Sequence, residues 1–287
     1  MTLNHPIIAV TGSSGAGTSS VKMAFEQLFQ RCDIKAMIVD GDGFHRYGRI
    51  EMAQLTTETD RNNGHFSLLG TQANLLAEFE ALLKQYGEKG YGSIRHYVHD
   101  EIQAKQYQNP PGTFTPWREE GRGSDLLFYE GLHGALVHEN LDIAHHVDLK
   151  VGVVPVINLE WIQKIQRDTR ERGYDKQQVK ASILRRMEDY VNVITPQFSL
   201  TDINFQRIPT VDTSDPFAAT TIPANKESLV VIHFRQPEKF DIDFSFLQSK
   251  LNGSLSCRDT LVISADKMAL AVDVIFEPIV KKMVGRK

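Results

Sequence analysis

The feature that most constrains this chain is a glycine-rich turn, GSSGAGTS at residues 12–19, set between an apolar stretch and a helical pattern. The apolar stretch covers residues 6–10, and the helical pattern covers residues 20–29. Strand, glycine-rich turn and helix form the local arrangement of a P-loop, whose backbone N–H groups and helix N-terminus hold phosphate. We therefore expect a nucleoside triphosphate to bind here. A strand-to-helix turn without a ligand is the alternative.

The turn departs from the P-loop pattern G-x-x-x-x-G-K-[ST] at one position. Thr18 stands where lysine is usual, whereas Ser19 keeps the hydroxyl that serves Mg²⁺. Another cation must therefore supply the charge of the missing lysine. The residues predicted to hold the nucleotide are Gly12, Ser13, Ser14, Gly15, Ala16, Gly17, Thr18, Ser19 and Ser20.

Length and composition favour one α/β domain with insertions. The chain has 287 residues, of which 41% are hydrophobic, enough for a core. A net charge of −4 provides no basic field for nucleic acid or an anionic membrane. The 2 cysteines form no CxxC motif, which favours a reducing, cytoplasmic setting. No apolar segment reaches the roughly 20 residues that a membrane helix needs.

Apolar runs of strand length alternate with helical patterns along the chain. The patterns predict strands at 6–10, 34–39, 125–129, 147–154, 229–234 and 261–264, and helices at 20–29, 73–86, 158–172, 177–194 and 267–284. We interpret residues 47–70 as a helix with an exposed insertion, 105–124 as a loop, and 196–287 as integrated with the sheet. Continuous apolar strands are typical of parallel sheets covered on both faces. The prediction is a single α/β domain over residues 1–287.

Three motif-bearing turns follow predicted strands, where ligands bind in such sheets. Besides the P-loop, these are the turn that contains Asp42 and the turn after Glu130. A carboxylate facing a phosphate loop can accept a proton from an attacking hydroxyl, which suits Asp42, although a helix cap is the alternative. An acid beside a P-loop suits Mg²⁺, which favours Glu130 as a metal-side residue over an ordinary strand-end acid.

Charged residues cluster in the predicted helix at 158–172. Lys164, Arg167 and Asp168 fall at helical spacing i, i+3 and i+4, so they share a face that could surround a transferring phosphoryl group. The alternative is a solvated charged face, which we favour for Arg170 and Glu171. On the acceptor side, His45 and Arg49 lie four residues apart and could hold a phosphate.

These motifs together resemble phosphoribulokinases of the proteobacterial type, within the uridine-kinase-like P-loop kinases. The matching segments are GSSGAGTS at 12–19, GDGFHR at 41–46, YVHD at 97–100, FYEGLHG at 128–134, and the stretches 151–173 and 195–217. The resemblance implies transfer of the γ-phosphoryl group of ATP to O1 of ribulose 5-phosphate with Mg²⁺. It also implies a P-loop nucleoside-triphosphate-hydrolase fold with a mostly parallel mixed sheet, a homo-oligomer such as an octamer, and a place in the Calvin cycle.

The resemblance also assigns roles to individual residues. It makes Asp42 the base, Lys164 and Arg167 the cations at the transferring group, and Ser19, Glu130 and Asp168 the metal-side residues, with Asp168 also catalytic. It implies sugar-phosphate contacts at His45, Arg49, His99 and Arg172. NADH as activator and AMP as inhibitor are implied through Arg185, Arg186 and Arg258, while His233 stands where an effector arginine is expected.

Two alternatives remain open from the sequence. The first is a kinase of the same fold with another acceptor, such as uridine or pantothenate. Cations at His45 and Arg49 argue for an acceptor that carries phosphate. The second is a nucleotide-binding regulator without catalysis, which would not need Asp42, Lys164 and Asp168.

Overall fold

The computed structural model describes residues 5–13, 15–154, 156–170 and 173–285, apart from the side chains of 255 and 256. The strands, in chain order, are β1 (Ile7–Thr11), β2 (Ala36–Asp40), β3 (Gly92–Ile94), β4 (Arg118–Glu120), β5 (Leu126–Gly131), β6 (Val137–His138), β7 (Leu141–Asp142), β8 (Leu149–Val154), β9 (Ile203–Pro209), β10 (Ser228–Phe234), β11 (Ser254–Cys257) and β12 (Thr260–Ser264). The α-helices are α1 (Thr18–Arg31), α2 (Arg49–Arg61), α3 (Leu76–Lys89), α4 (Glu101–Tyr107), α5 (Ile157–Arg170), α6 (Lys176–Arg185), α7 (Met187–Asp189), α8 (Phe244–Leu251) and α9 (Met268–Met283).

Eight strands form one mixed sheet in the order β11-β12-β10-β9-β8-β1-β5-β2. The five strands from β9 to β2 are parallel, and β10, β12 and β11 continue the sheet in antiparallel pairs. Two short hairpins, β3 with β4 and β6 with β7, lie outside it. The predicted fold class, a mostly parallel mixed sheet with helices, is confirmed.

The two faces of the sheet carry separate cores because side chains alternate along each strand. On one face, Ile8 and Val10 of β1 pack in a core with Phe25 of α1 and Phe276 of α9. The rings of Phe25 and Phe276 lie 4.7 Å apart between centroids. This face fixes α1, and with it the end of the P-loop.

On the other face, Ile7 and Ala9 of β1 pack with Phe79 of α3 and Tyr129 of β5. The rings of Phe79 and Tyr129 are stacked with centroids 4.3 Å apart. Both faces of β1 are therefore covered, as its continuous apolar sequence predicted. The strand that leads into the P-loop lies at the centre of the molecule.

Most predicted elements are confirmed within a few residues, and α2 occupies the predicted insertion at 47–70. The single helix predicted at 177–194 is wrong: α6 and α7 are followed by a π-helical segment, Tyr190–Ile194. The loop predicted at 105–124 contains β4 and the end of α4. No strand or helix was predicted for β9, β11 or α8.

The chain contains no helix, among its described residues, that is long and apolar enough to span a membrane. Cys257 is an exposed free thiol.

Candidate active site

The ends of three neighbouring parallel strands bring the three motif turns to one edge of the sheet. β5 lies between β1 and β2, so that Glu130 is in register with both Val10 of β1 and Asp40 of β2. The P-loop follows β1, the turn with Asp42 follows β2, and Glu130 lies near the end of β5. The predicted convergence of the three turns is confirmed.

The P-loop backbone takes a conformation that needs glycine at two positions. Gly15 and Gly17 have φ values of 107° and 100°, which side chains rarely adopt. Gly12 donates its N–H to the carbonyl of Gly131 at 3.2 Å, which ties the loop to the end of β5. A Cβ at Gly12 would lie 2.7 Å from Cγ2 of Thr18, so the start of α1 packs closely over the loop.

Helix α5 lies directly against the P-loop. A Cβ at Gly15 would lie 3.1 Å from the carbonyl oxygen of Glu160 and 3.4 Å from Cβ of Lys164. Ser13, Glu160 and Lys164, with Arg186 and Tyr190, border a small cavity of about 20 Å³. The cationic helix predicted from the sequence is therefore a wall of the phosphate-binding region.

Lys164 and Arg167 both contact one carboxylate. Nζ of Lys164 lies 2.6 Å from Oδ2 of Asp168, and Arg167 lies 3.0 Å from Oδ1. Lys164 and Asp168 are buried, with 7% and 4% of their surfaces exposed. Burial and then the nearby charge of Arg186 lower the pKa of Lys164 to about 8, against the opposing effect of Asp168. The cation beside the loop is thus held in place by an acid one turn further along α5.

Glu160 is the acid on the other side of Lys164, one turn earlier on the same face. Its side chain is buried and accepts a hydrogen bond of 3.1 Å from the hydroxyl of Tyr190. Burial raises the pKa of Glu160 to about 7. A carboxyl with this pKa beside a phosphate-binding loop can hold or release a proton near neutral pH.

Asp42 is the centre of a second cluster on the acceptor side. Nε2 of His45 lies 2.9 Å from Oδ1 of Asp42, and Nε2 of His99 lies 3.5 Å from Oδ2. Arg49 donates a 2.7 Å hydrogen bond to the carbonyl of His99. The Asp42 side chain keeps 38% of its surface exposed, so a substrate hydroxyl can reach it. It is Asp40, rather than Asp42, that caps the short turn Gly41–Phe44.

Three carboxylates, those of Glu130, Asp40 and Asp42, lie near one another at the ends of β5 and β2. Burial raises the pKa of Glu130, and the charges of Asp40 and Asp42 add to this effect, whereas a hydrogen bond from Thr18 opposes it. Nζ of Lys22 lies 4.0 Å from Oδ2 of Asp40. One lysine beside three acids leaves an excess of negative charge, which is the environment that a divalent cation neutralises.

The described part of the chain contains no group of three or more histidine, cysteine or acidic side chains arranged to hold a metal ion by themselves. Mg²⁺ is commonly bound by one or two carboxylates together with ligand phosphates, so Glu130 beside the P-loop suits it. Ser19, in the first turn of α1, has an exposed side chain beside the loop.

Comparison with known proteins agrees with this arrangement. The sequence profile of the Phosphoribulokinase / Uridine kinase family matches residues 7–214. This chain belongs to that family. A phosphoribulokinase from Nitrobacter vulgaris is 51% identical over 289 residues, covering 100% of this chain and 99% of the relative. A probable phosphoribulokinase from Escherichia coli is 49% identical, with 100% and 99% covered.

A solved phosphoribulokinase structure from Rhodobacter spheroides superimposes on the chain with a TM-score of 0.89 at 47% identity, covering 98% of both chains. The phosphoribulokinase fold and a kinase function, with phosphoryl transfer to an alcohol group, follow from these matches. Membership of the phosphoribulokinase / uridine kinase family thus agrees with the resemblance found in the sequence.

The fold groups the residues for which this family resemblance predicted roles into two sets. Asp42, His45, Arg49 and His99 lie together, and Lys164, Arg167 and Asp168 lie together on α5. Ser14 and Arg172 lie outside the described residues. The individual roles remain predictions, and His45 has both ring nitrogens engaged by protein atoms.

The predicted effector residues lie on different elements. Arg185, at the end of α6, forms an ion pair with Asp60 of α2 at 2.7 Å. Arg186 contributes to the wall of the small cavity beside Lys164. Arg258 lies in the turn between β11 and β12, next to Asp259, whose carboxylate is 3.5 Å from His233.

Sequence reasoning missed four residues at the site: Lys22, Asp40, Asn74 and Glu160. The spacing Glu160, Lys164, Asp168 is i, i+4, i+8, so helical periodicity could have included Glu160. Asp40 ends the β2 strand and could have been noticed as the acid two residues before Asp42. Lys22 and Asn74 carry no local signal, because only the tertiary fold brings them to the site.

Proposed function

We propose that this protein transfers the γ-phosphoryl group of ATP to O1 of ribulose 5-phosphate, giving ribulose 1,5-bisphosphate. The observation that carries the proposal is the position of the Asp42 side chain. Its partly exposed carboxylate lies at the same sheet edge as the P-loop and is surrounded by histidines and by Arg49. The full-length similarity to proteins named phosphoribulokinase supports this choice of acceptor.

Asp42 acts as the general base in this proposal. His45 holds Oδ1 at 2.9 Å, and the carboxylate is 38% exposed, so the O1 hydroxyl of the sugar can approach it. As that hydroxyl attacks the γ-phosphorus, its proton passes to Asp42. Phosphoryl transfer depends mainly on positioning and charge, so the fixed orientation of this carboxylate matters.

Lys164 and Arg167 stabilise negative charge on the transferring phosphoryl group. Asp168 orients both of them through its two oxygens. Because Thr18 replaces the usual P-loop lysine, Lys164 supplies the cation from α5, whose backbone and Cβ atoms lie against Gly15.

Arg49, His99 and Arg172 bind the 5-phosphate and the hydroxyls of the sugar, and His45 completes that side of the site. A neutral nucleoside acceptor would not need the cations. The arrangement therefore favours a phosphorylated sugar over uridine.

Mg²⁺ fits the acidic group at the ends of β5 and β2, with Ser19, Glu130 and Asp168 as the protein residues on its side. When bound, the ion neutralises charge on the nucleotide phosphates. Glu130 is partly exposed and lies near Asp40 and Asp42, which suits this role. Both oxygens of Asp168 contact cations, so its part is to hold Lys164 toward the same phosphates.

Regulation and assembly complete the proposal. NADH activation and AMP inhibition act through Arg185, Arg186 and Arg258, and His233 weakens the response to NADH. The protein works as a single kinase domain in a cytoplasmic homo-oligomer, such as an octamer. Its product would serve carbon fixation in the Calvin cycle.

An assay of ADP formation with Mg-ATP tests the acceptor directly. We expect turnover with ribulose 5-phosphate and none with uridine. Asp42→Asn should lower kcat on the order of 10²–10⁴-fold while ATP binding stays unchanged. The exposed Asp266→Asn serves as the matched control. Turnover with uridine, or ATP binding without turnover on either acceptor, would contradict the proposal.

A further inference from the structure

Asn74 connects the segment before α3 to the turn that carries the base. Nδ1 of His45 lies 2.8 Å from Oδ1 of Asn74, and both residues are buried, with 5% and 2% of their surfaces exposed. Backbone hydrogen bonds fix the two segments side by side, from Arg46 to the carbonyl of Ala73 and from Leu75 to the carbonyl of Phe44. The contact between the side chains is therefore set by a rigid local framework.

The orientation of the Asn74 amide follows from its other partners. Nδ2 lies 3.0 Å from the carbonyl oxygen of Leu68 and 2.7 Å from that of Gly70. A carbonyl oxygen can only accept, so the NH₂ group must face these two atoms. The amide oxygen then faces His45, and an oxygen in that position requires a proton on Nδ1 of His45.

The same reasoning fixes the other side of the ring. Nε2 of His45 faces Oδ1 of Asp42 at 2.9 Å, and one proton must lie between these two atoms. With Asp42 ionised, the proton resides on Nε2, and the ring is an imidazolium that donates from both nitrogens. Because the like charges of Asp40 and Asp42 repel each other, a cation at His45 favours the ionised form of Asp42.

We propose that Asn74 is a positioning residue that holds His45 as an imidazolium, which keeps Asp42 ionised and fixes the orientation of its carboxylate toward the substrate hydroxyl. The inference rests on the proposed role of Asp42 as the base. The side chain of Asn74 hydrogen-bonds to His45 and to the carbonyls of Leu68 and Gly70, so it acts on Asp42 through His45. His45 then places a positive charge beside Asp42, and both of its ring nitrogens serve this arrangement.

The electrostatic surroundings of His45 agree with this assignment. Burial disfavours the charged ring, but the charge and hydrogen bond of Asp42 and the hydrogen bond of Asn74 outweigh it, so the pKa of His45 is raised. The nearby His133 provides a contrast, because burial lowers its pKa to about 4. The titratable or charged groups around the His45–Asp42 pair are Asp40, Tyr97, His99, Arg95, Glu130 and His133.

The first test measures the charge of His45 without turnover. Hydrogen–deuterium exchange at the ring C2 position, followed by mass spectrometry across pH, gives a titration midpoint for each histidine. We expect a midpoint for His45 above about 6.5, the value of an unperturbed histidine, and a midpoint for His133 well below it. A midpoint for His45 at or below the unperturbed value would overturn the inference, whatever the acceptor of the enzyme.

A matched pair of variants separates positioning from stability. Asn74→Leu and Asn74→Asp both lose the NH₂ group that binds Leu68 and Gly70, but only Asn74→Asp keeps an acceptor for Nδ1 of His45. In Asn74→Leu, we expect the decrease of kcat/KM with rising pH to begin at a lower pH than in the wild type, with a roughly tenfold loss at the alkaline end. In Asn74→Asp, the decrease of kcat/KM should begin at the same pH as in the wild type or at a higher one. Identical pH profiles in the two variants would show that Asn74 is only structural.

If both variants fail to fold, the titration of His45 in the wild-type protein still decides the question. Absence of turnover with ribulose 5-phosphate in the wild type would contradict the proposed function but would leave the His45 titration as a separate result.

Discussion

Nζ of Lys164 and Oδ2 of Asp168 lie 2.6 Å apart, one helical turn from each other on α5. The ion pair holds the cation against the P-loop, where Thr18 replaces the usual lysine. A long flexible lysine would otherwise lose side-chain entropy on binding phosphate, and the fixed pair reduces this loss.

Removing the Lys164 cation should therefore affect the chemical step. We expect Lys164→Met to lower kcat by about 10²–10³-fold, because one preorganised charge at the phosphoryl group is lost. Steady-state kinetics with saturating ATP measure the change. The exposed Lys176→Met, in the first turn of α6, is the control and should keep normal turnover.

Thr18→Lys, added to Lys164→Met, tests whether Lys164 replaces the usual P-loop lysine. A lysine at the usual P-loop position should restore part of the activity of Lys164→Met. No restoration in the double variant would leave Lys164 without the role of a relocated P-loop cation.

Arg49 should act on binding of the acceptor. Arg49 is the first residue of α2. Its guanidinium lies beside the carbonyl of His99 and can donate to a sugar phosphate. Loss of a charge-assisted hydrogen bond costs about 1.5–3 kcal/mol, so Arg49→Ala should raise the KM for ribulose 5-phosphate roughly 10–100-fold. The KM for ATP should not change. Arg61→Ala, at the other end of α2, is the control, and an equal rise in its KM would argue against a specific contact.

Gly43 should be essential for the turn that carries Asp42. A Cβ at this position would collide with the carbonyl oxygen of Arg95, whose side chain in turn binds the carbonyls of Gly43 and His45. Gly43→Ala should cost roughly 1–3 kcal/mol in the free energy of unfolding and should also lower kcat. Urea denaturation and kinetics measure the two effects.

Gly87 offers a matched control for that substitution. It lies within α3, and a Cβ there would meet Cδ1 of Ile7 at 3.9 Å, an ordinary van der Waals contact. Gly87→Ala should stabilise the protein by up to about 1 kcal/mol, because alanine favours helix. Equal stability changes in the two variants would contradict the close contact at Gly43.

Glu160 should make stability depend on pH. Its pKa is raised by burial from 4.5 to about 7, so the folded state holds a proton that the unfolded state has already lost. Stability from this group is complete below pH 4.5 and is lost as the pH rises through about 7. The pKa of Glu160 differs by about 2.5 units between the folded and unfolded states. At about 1.4 kcal/mol for each pKa unit, this difference corresponds to roughly 3 kcal/mol in the free energy of unfolding.

Glu160→Gln removes this dependence because the amide stays neutral. Between pH 5 and 8, urea unfolding should show a smaller loss of stability in the variant than in the wild type. Glu88→Gln, exposed on α3, should follow the wild type. Parallel curves for Glu160→Gln and the wild type would mean that Glu160 is ionised throughout.

The sequence was sufficient for β1, β5 and β8 because these strands are buried on both faces and read as continuous apolar runs. It was insufficient for β9, where only alternate side chains such as Ile203 and Phe205 are buried and polar residues lie between them. The helix predicted at 177–194 is broken because Tyr190–Ile194 winds as a π-helix, which periodicity alone does not reveal.

The residues of the candidate site also divide into those that the sequence indicated and those that it did not. Asp42, Lys164 and Asp168 stand within short motifs that have a known chemical meaning, so the sequence indicated them. The link from Asn74 to His45 spans 29 residues and depends on a backbone pairing formed only in the folded chain. Such contacts between distant segments leave no periodic or compositional trace.

Helix α2, which the structure describes in full, buries none of its side chains. Its attachments to the rest of the molecule include the ion pair between Asp60 and Arg185 and the hydrogen bond from Arg49 to His99. Because little apolar surface would be exposed on detachment, this helix can unfold locally while the sheet stays intact. The backbone on the acceptor side of the enzyme is therefore less stable against local unfolding than the backbone on the nucleotide side. Sugar phosphate binding at Arg49 would then anchor that helix as well as select the substrate.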